Sequence, residues 1–190
     1  MRIDAGGLLV GGTYVPSPNC DPRPACEIEL LVIHNISLPP GQFGGDGVWR
    51  LFTNTLDAGE HPYYQDIAGL KVSAHFFVRR DGEIIQFVPC LSRAWHAGLS
   101  SWQGHARCND FSIGIELEGG DKIPFADAQY LALDELTKAL REVYPIRGIA
   151  GHSDIAPQRK TDPGPCFDWM RYLAGLPAEQ SPIRRIGENI

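Results

Sequence analysis

The sequence predicts a single α/β domain, a central mixed sheet with helices on its faces. Three patterns carry that expectation. Leu30-Leu31-Val32-Ile33 is a continuous apolar run of the kind that forms a strand buried on both faces. Phe111 to Glu118 alternates with period two, which sets Phe111, Ile113, Ile115 and Leu117 on one side and Ser112, Gly114, Glu116 and Glu118 on the other. Tyr130, Leu133, Leu136, Leu140 and Val143 recur at helical spacing, with Asp127 placed as N-cap and Pro145 as the stop.

The remaining elements follow in chain order. Residues 1 to 27 hold Pro16-Ser17-Pro18 and Asp21-Pro22-Arg23-Pro24, and read as an extended surface arm with at most a short strand near Leu8 to Val10. The buried run ends in His34-Asn35. An imidazole at the C-terminal end of a central strand stands where open α/β sheets bind ligands; a histidine satisfied within the core is the competing reading. Gly41 to Gly47 reads as a flexible loop, and Val48 to Leu56 as a short amphipathic helix. His61-Pro62-Tyr63-Tyr64 reads as loop, with His61 on the surface. Val72 to Val78 reads as a strand, Asp81-Gly82 as a two-residue hairpin turn, and Glu83 to Val88 as the returning strand.

Arg93 to Gly98 reads as a loop in which Trp95 either packs over the core edge or offers a flat wall to a sugar or peptide. On the polar side of the alternating strand, Glu116 faces out beside residues too small to fill that side. This leaves space as over a cleft, unless the carboxylate is simply a solvated charge. Ile146 to Ala150 reads as a last strand that delivers His152, and Phe167 to Ala174 as a closing helix. The residues after Gly175 read as a poorly ordered tail.

The totals narrow the function classes. A chain of 190 residues fits one domain with a real core, here about residues 14 to 175 with both ends peripheral. Hydrophobic residues at 43% and charged residues at 21% describe a globular protein. A net charge of −6 argues against nucleic acid, whose binding needs a basic surface. No apolar run approaches a membrane span, and the N-terminus does not read as a signal peptide. The five cysteines (Cys20, Cys26, Cys90, Cys108 and Cys166) are odd in number and form no close CxxC pair. That pattern fits a reduced cytosolic protein and argues against both a disulfide framework and a cysteine zinc site.

Gly151 to Pro165 is too rich in proline and glycine for a helix and too polar for a buried strand, so it reads as a structured loop. It presents His152, Lys160 and Asp162, although ordinary turn chemistry gives the same composition. With His34 it supplies an N, N, O set, and three protein ligands with one open position is the pattern of a catalytic zinc site. Spacing alone does not bring the three together.

Leu31-Val32-Ile33-His34-Asn35, Val72-Ser73-Ala74-His75, Ala94-Trp95-His96-Ala97-Gly98, Asn109 to Glu116, Gly151-His152 and Arg159 to Pro165 together resemble the zinc N-acetylmuramoyl-L-alanine amidase family. That family includes phage T7-type lysozyme amidases and the peptidoglycan recognition proteins; the likeness is greatest to its AmpD-type branch, which recycles cell wall in the cytosol. The resemblance runs from about residue 14 to residue 172 with its motifs in order. It implies that His34, His152 and Asp162 hold one zinc ion, that Glu116 is the acid/base carboxylate and that Lys160 stabilises the oxyanion. It also implies that Asn35, Trp95 and His96 line the sugar and peptide cleft, while Lys71 and Arg107 meet peptide carboxylates. His75 is read as packing. The expected substrate is a small 1,6-anhydromuropeptide, cut between the lactyl group and L-alanine by a monomer in the bacterial cytoplasm. An endolysin-type amidase acting on intact wall and a non-catalytic peptidoglycan-binding module are the competing readings.

Overall fold

The computed structural model of the chain describes residues 1–176; the predicted tail beyond Gly175 lies almost wholly outside them. Two short strands come first, β1 (Thr13–Tyr14) and β2 (Cys20–Pro22), followed by the long buried β3 (Leu30–Ile36). Helices α1 (Gly47–Phe52) and α2 (Pro62–Ile67) precede the hairpin of β4 (Phe76–Val78) and β5 (Ile84–Gln86). Next come β6 (Ser92–Ala94), the small ribbon β7 (Ser101–Trp102) and β8 (His105–Ala106), and β9 (Ser112–Glu118). Helix α3 (Asp127–Val143), strand β10 (Gly148–Gly151), helix α4 (His152–Ile155) and helix α5 (Trp169–Ala174) complete the chain.

Six strands form one mixed sheet in the order β1-β5-β4-β9-β3-β10, with β4 and β5 antiparallel and the other neighbours parallel. Strand β3 lies between β9 and β10 and is therefore covered on both edges and both faces, which is why its sequence is apolar without alternation. Its odd positions Leu31 and Ile33 join Ile113, Ile115 and Leu117 of β9 against Leu133, Leu136 and Leu140 of α3. Its even positions Leu30 and Val32 face the other way, into a smaller cluster with Trp102, Phe111 and Ala150. A third cluster on that second face packs Phe77, Ile85 and Phe87 against Leu51 and Phe52 of α1.

Several expectations are corrected. The extended N-terminal arm is tied into the sheets at places other than the expected one: β1 is an edge strand of the main sheet, β2 pairs with β6, and near Leu9 the described residues show an isolated bridge to Ile3 rather than a strand. Strand β4 starts at Phe76 rather than Val72. The hairpin loop holds Arg80, Asp81 and Gly82, because Arg79 N–H donates to Glu83 O and Gly82 takes a left-handed φ of 90°. His61-Pro62-Tyr63-Tyr64 opens α2, and His61 caps it by accepting from Tyr63 N–H. Asp127 is the first residue of α3 instead of its cap; Ala126 precedes it, and the Gln129 side chain accepts the Ala126 N–H. Phe111 sits at the end of a 3₁₀ turn, before the pleat begins, so it joins Leu30 and Val32 rather than the α3 face. The loop expected from Gly151 begins with one helical turn, α4.

Candidate metal centre and cleft

Parallel pairing places the site. His34 of β3 is the register partner of Glu116 of β9, and Ile33 that of Gly151 on β10. His34 and Glu116 therefore point to the same face, and His152 follows one residue past the end of β10. The backbone of the next loop folds back, Ser153 N–H donating to Asp162 O at 2.9 Å, which returns Asp162 to His152.

Three donor atoms converge there. His34 Nδ1 lies 2.9 Å from His152 Nδ1 and 3.0 Å from Asp162 Oδ2, and His152 Nδ1 lies 3.1 Å from the same Oδ2. Ligands bound at zinc distances in a tetrahedron stand about 3.3 Å apart, so the triangle fits a small tetrahedral cation. His152 Nε2 faces Ala97 O at 3.1 Å and must donate to it, leaving a bare lone pair at Nδ1 in the neutral ring. His34 and His152 are buried, and no other group of this kind occurs among the described residues. The donor set and its geometry thus fit a metal.

The electrostatics agree. Burial, reinforced by His152, pushes the His34 imidazole down to about 4, so it is a neutral donor near pH 7. Burial alone would raise Asp162, but a proton shared from His152 or His34 outweighs it and holds the carboxyl well below the usual range; a cation between the three groups would act in the same sense. Glu116 shows the opposite balance. Burial and then the Asp162 charge push it well above the ordinary carboxylate value, with Lys160 pulling the other way. Its Oε2 is buried and has no hydrogen-bond partner among the described residues. A buried, unpaired carboxylate oxygen is costly unless a ligand uses it.

These groups line a cleft of about 580 Å³ that Lys160 also lines. That volume suits a small molecule. Leu51, Phe52, Val72 and Trp95 provide an apolar wall, and Asn35 lines it with its amide tied to Asp121 at 2.8 Å. His96 borders the cleft too, but its ring lies over Gly114, where a Cβ would come within 2.5 Å of it, and both its nitrogens face protein groups. Lys71 is exposed and does not line the cleft. Arg107 is 71% exposed, stands outside the cleft and pairs with Asp110 at 3.1 Å.

His75 is fully buried; Nδ1 accepts Gly114 N–H and Nε2 donates to Ser92 O. Sequence reasoning missed the groups that hold the cleft's walls. Asn109 Oδ1 accepts the His96 and Ala97 amides, and Arg23 donates to the carbonyls of Asn109, Asp110, Cys90, Ser92 and Ser112. Arginine between two prolines was the available signal for a pinned segment.

The family model of N-acetylmuramoyl-L-alanine amidases matches residues 24–165, from Arg23's neighbour to the end of the loop that carries Asp162. The chain belongs to the N-acetylmuramoyl-L-alanine amidase family. This amidase is 59% identical over 169 residues to the 1,6-anhydro-N-acetylmuramyl-L-alanine amidase AmpD of Escherichia coli (strain K12), a match covering 87% of this chain and 92% of that one. A crystal structure of a selenomethionine AmpD derivative superposes on the amidase with a TM-score of 0.91 at 56% identity, covering 93% of this chain and all of that one. The E. coli amidase AmiD, solved with the substrate anhydro-N-acetylmuramic acid-L-Ala-D-γ-Glu-L-Lys, is similar at a TM-score of 0.57 and 34% identity, over 80% of this chain and 59% of that one. Among the described residues of the amidase, no helix is long and apolar enough to cross a membrane.

Proposed function

We propose that this amidase hydrolyses the amide between the lactyl group and L-alanine of 1,6-anhydro-N-acetylmuramyl peptides, in cytoplasmic recycling of cell wall, as a monomeric zinc enzyme. The observation that carries the reading is the pairing of the His34–His152–Asp162 triangle with Glu116, whose buried Oε2 has no hydrogen-bond partner among the described residues, in the lining of one cleft. The substrate class rests on the AmpD relative, named for that reaction, and on the AmiD complex. Five free cysteines suit a reducing compartment.

When bound by the three side chains, zinc supplies a Lewis acid that makes water acidic near neutral pH and polarises a carbonyl. Glu116 takes the proton of the attacking water and passes it to the departing amine of L-alanine. Lys160 sets a fixed positive charge beside the lactyl carbonyl oxygen as negative charge develops there. Asn35, held by Asp121, and the face of Trp95 orient the sugar and peptide; with Lys71 and Arg107 outside the cleft, gripping of distal peptide carboxylates is assigned to them only for a longer stem.

The test is product analysis by mass with 1,6-anhydro-N-acetylmuramyl tripeptide. Release of free peptide and anhydromuramic acid, abolished by a chelator and restored by zinc, is the expected result. Intact sacculi run in parallel separate an endolysin-type activity, and zinc-loaded protein that binds without cleaving returns a binding module.

A further inference from the structure

The neutral His34 ring has one proton and two nitrogens, so it can bind a metal through Nδ1 only if the proton stays on Nε2. For His152 the backbone carbonyl of Ala97 enforces this. His34 has no carbonyl at its far nitrogen. Its Nε2 faces another imidazole, His96 Nδ1, at 2.9 Å, and either ring is chemically able to donate.

The direction is decided two links away. His96 Nε2 lies 3.1 Å from Ser112 Oγ, and Ser112 Oγ lies 2.6 Å from Cys108 O. A carbonyl only accepts, so the single hydroxyl proton of Ser112 is committed to Cys108 O. Ser112 Oγ must then accept from His96 Nε2–H. That leaves His96 Nδ1 bare, and it accepts from His34 Nε2–H. Each link has one possible sense once the carbonyl is fixed. Ser112 and Cys108 are fully buried, and the His96 ring is held over Gly114, so water does not supply an alternative partner for the hydroxyl.

We infer that His96 is a positioning residue for metal binding: the relay Cys108 O, Ser112, His96 locks His34 in the tautomer whose Nδ1 lone pair faces His152 and Asp162. Glycine at 114 makes room on β9 for the His96 ring, and serine at 112 connects that ring to the Cys108 carbonyl where the relay ends. The same strand, two residues further on, carries Glu116.

The inference rests on His34, His152 and Asp162 holding the metal. The measurement is zinc affinity by chelator competition for wild type, Ser112→Ala and His96→Phe, with nitrogen-15 NMR of the imidazoles in wild type. Ser112→Ala frees His96 to turn its proton toward His34, and His96→Phe removes the acceptor while keeping a ring over Gly114. Each is expected to weaken zinc binding about 10- to 100-fold, the range typical for loss of a group that orients a ligand. The unfolding temperature of the zinc-free protein is expected to change far less, and His96→Gln, which keeps an acceptor and a donor, recovers part of the affinity. Wild-type NMR is expected to show His96 protonated at Nε2. Wild-type zinc affinity in both variants, or a His96 proton on Nδ1, overturns the relay. A wild type that takes up no zinc overturns the metal assignment instead, and the His96 tautomer still reads the relay's sense.

Discussion

His34 and Glu116 are direct register partners across the parallel strands β3 and β9. The backbone ladder thus sets an imidazole of the metal triangle and a buried carboxylate on one face, without help from any loop. Glu116→Gln keeps the shape of the side chain and removes its basicity. It should lower kcat about 10²- to 10⁴-fold, the span attributed to general acid–base groups, while zinc content by elemental analysis stays at the wild-type level.

His34→Ala opens the metal triangle. Because metal binds only the folded chain, the wild type should lose unfolding temperature when chelated; saturation at 100 times the dissociation constant is worth about 2.7 kcal/mol. His34→Ala should start near the chelated value and respond no further to chelator. Differential scanning calorimetry with and without chelator checks both.

Lys160 enters the cleft beside Glu116 but is no part of the metal triangle. Lys160→Met should therefore leave zinc content and KM close to wild type and reduce kcat about 10²- to 10³-fold, as loss of an oxyanion partner does elsewhere. A rise in KM with kcat preserved would reassign Lys160 to ground-state binding.

His75 gives a pH dependence of known sign. Burial, then the neighbouring Arg23 charge, depress its imidazole from the ordinary 6.5 to about 3. The unfolded chain takes up that proton first, so the stability contributed by neutral His75 is whole above pH 6.5 and is lost as pH falls towards 3. The slope is about 1.4 kcal/mol per pH unit well below 6.5 for this group alone. Urea unfolding of the zinc-free protein between pH 7 and pH 5 should show it. His75→Gln should be less stable at pH 7 and less sensitive to acid.

Arg23 donates to five main-chain carbonyls belonging to the β5–β6 connection, β6, the 3₁₀ turn and β9. Arg23→Leu strands those acceptors away from water and should destabilise the fold by about 3 kcal/mol or more. The cleft would suffer with it, since Asn109 and Ser112 both sit on the segments released. Denaturant titration is the check.

The sequence revealed the parts of the fold that are set by periodicity. The unbroken apolar run of β3, the alternation of β9 and the stripe of α3 all reflect burial, and burial is written in side-chain type. Glu116 was legible as a carboxylate over empty space because Gly114 and Ser112 are small; that the His96 ring fills the room over Gly114 was not, since nothing local links residues 96 and 114. Short edge pairings were equally hidden. Strands β1 and β2 are two and three residues long and are held by partners 70 or more positions away, as in Cys20 opposite Ala94. Resemblance named His34, His152 and Asp162 together, while spacing could not. It also drew Lys71 and Arg107 towards the substrate; in the structure Lys71 is exposed and Arg107 pairs with Asp110, and neither lines the cleft.

The central position of β3 also matters while the protein is being made. Its two neighbours in the sheet, β9 and β10, lie far downstream in the chain, and Asp162 comes later still. At ordinary translation speeds the Leu30–Ile33 run waits on the order of ten seconds for its first partner strand, with its apolar faces uncovered and its backbone edges unpaired. A nascent chain of this amidase therefore passes through a sticky interval that ends only when β9 emerges. Slowing the ribosome between residues 36 and 112 should lower the soluble yield even though every residue of the finished protein is unchanged.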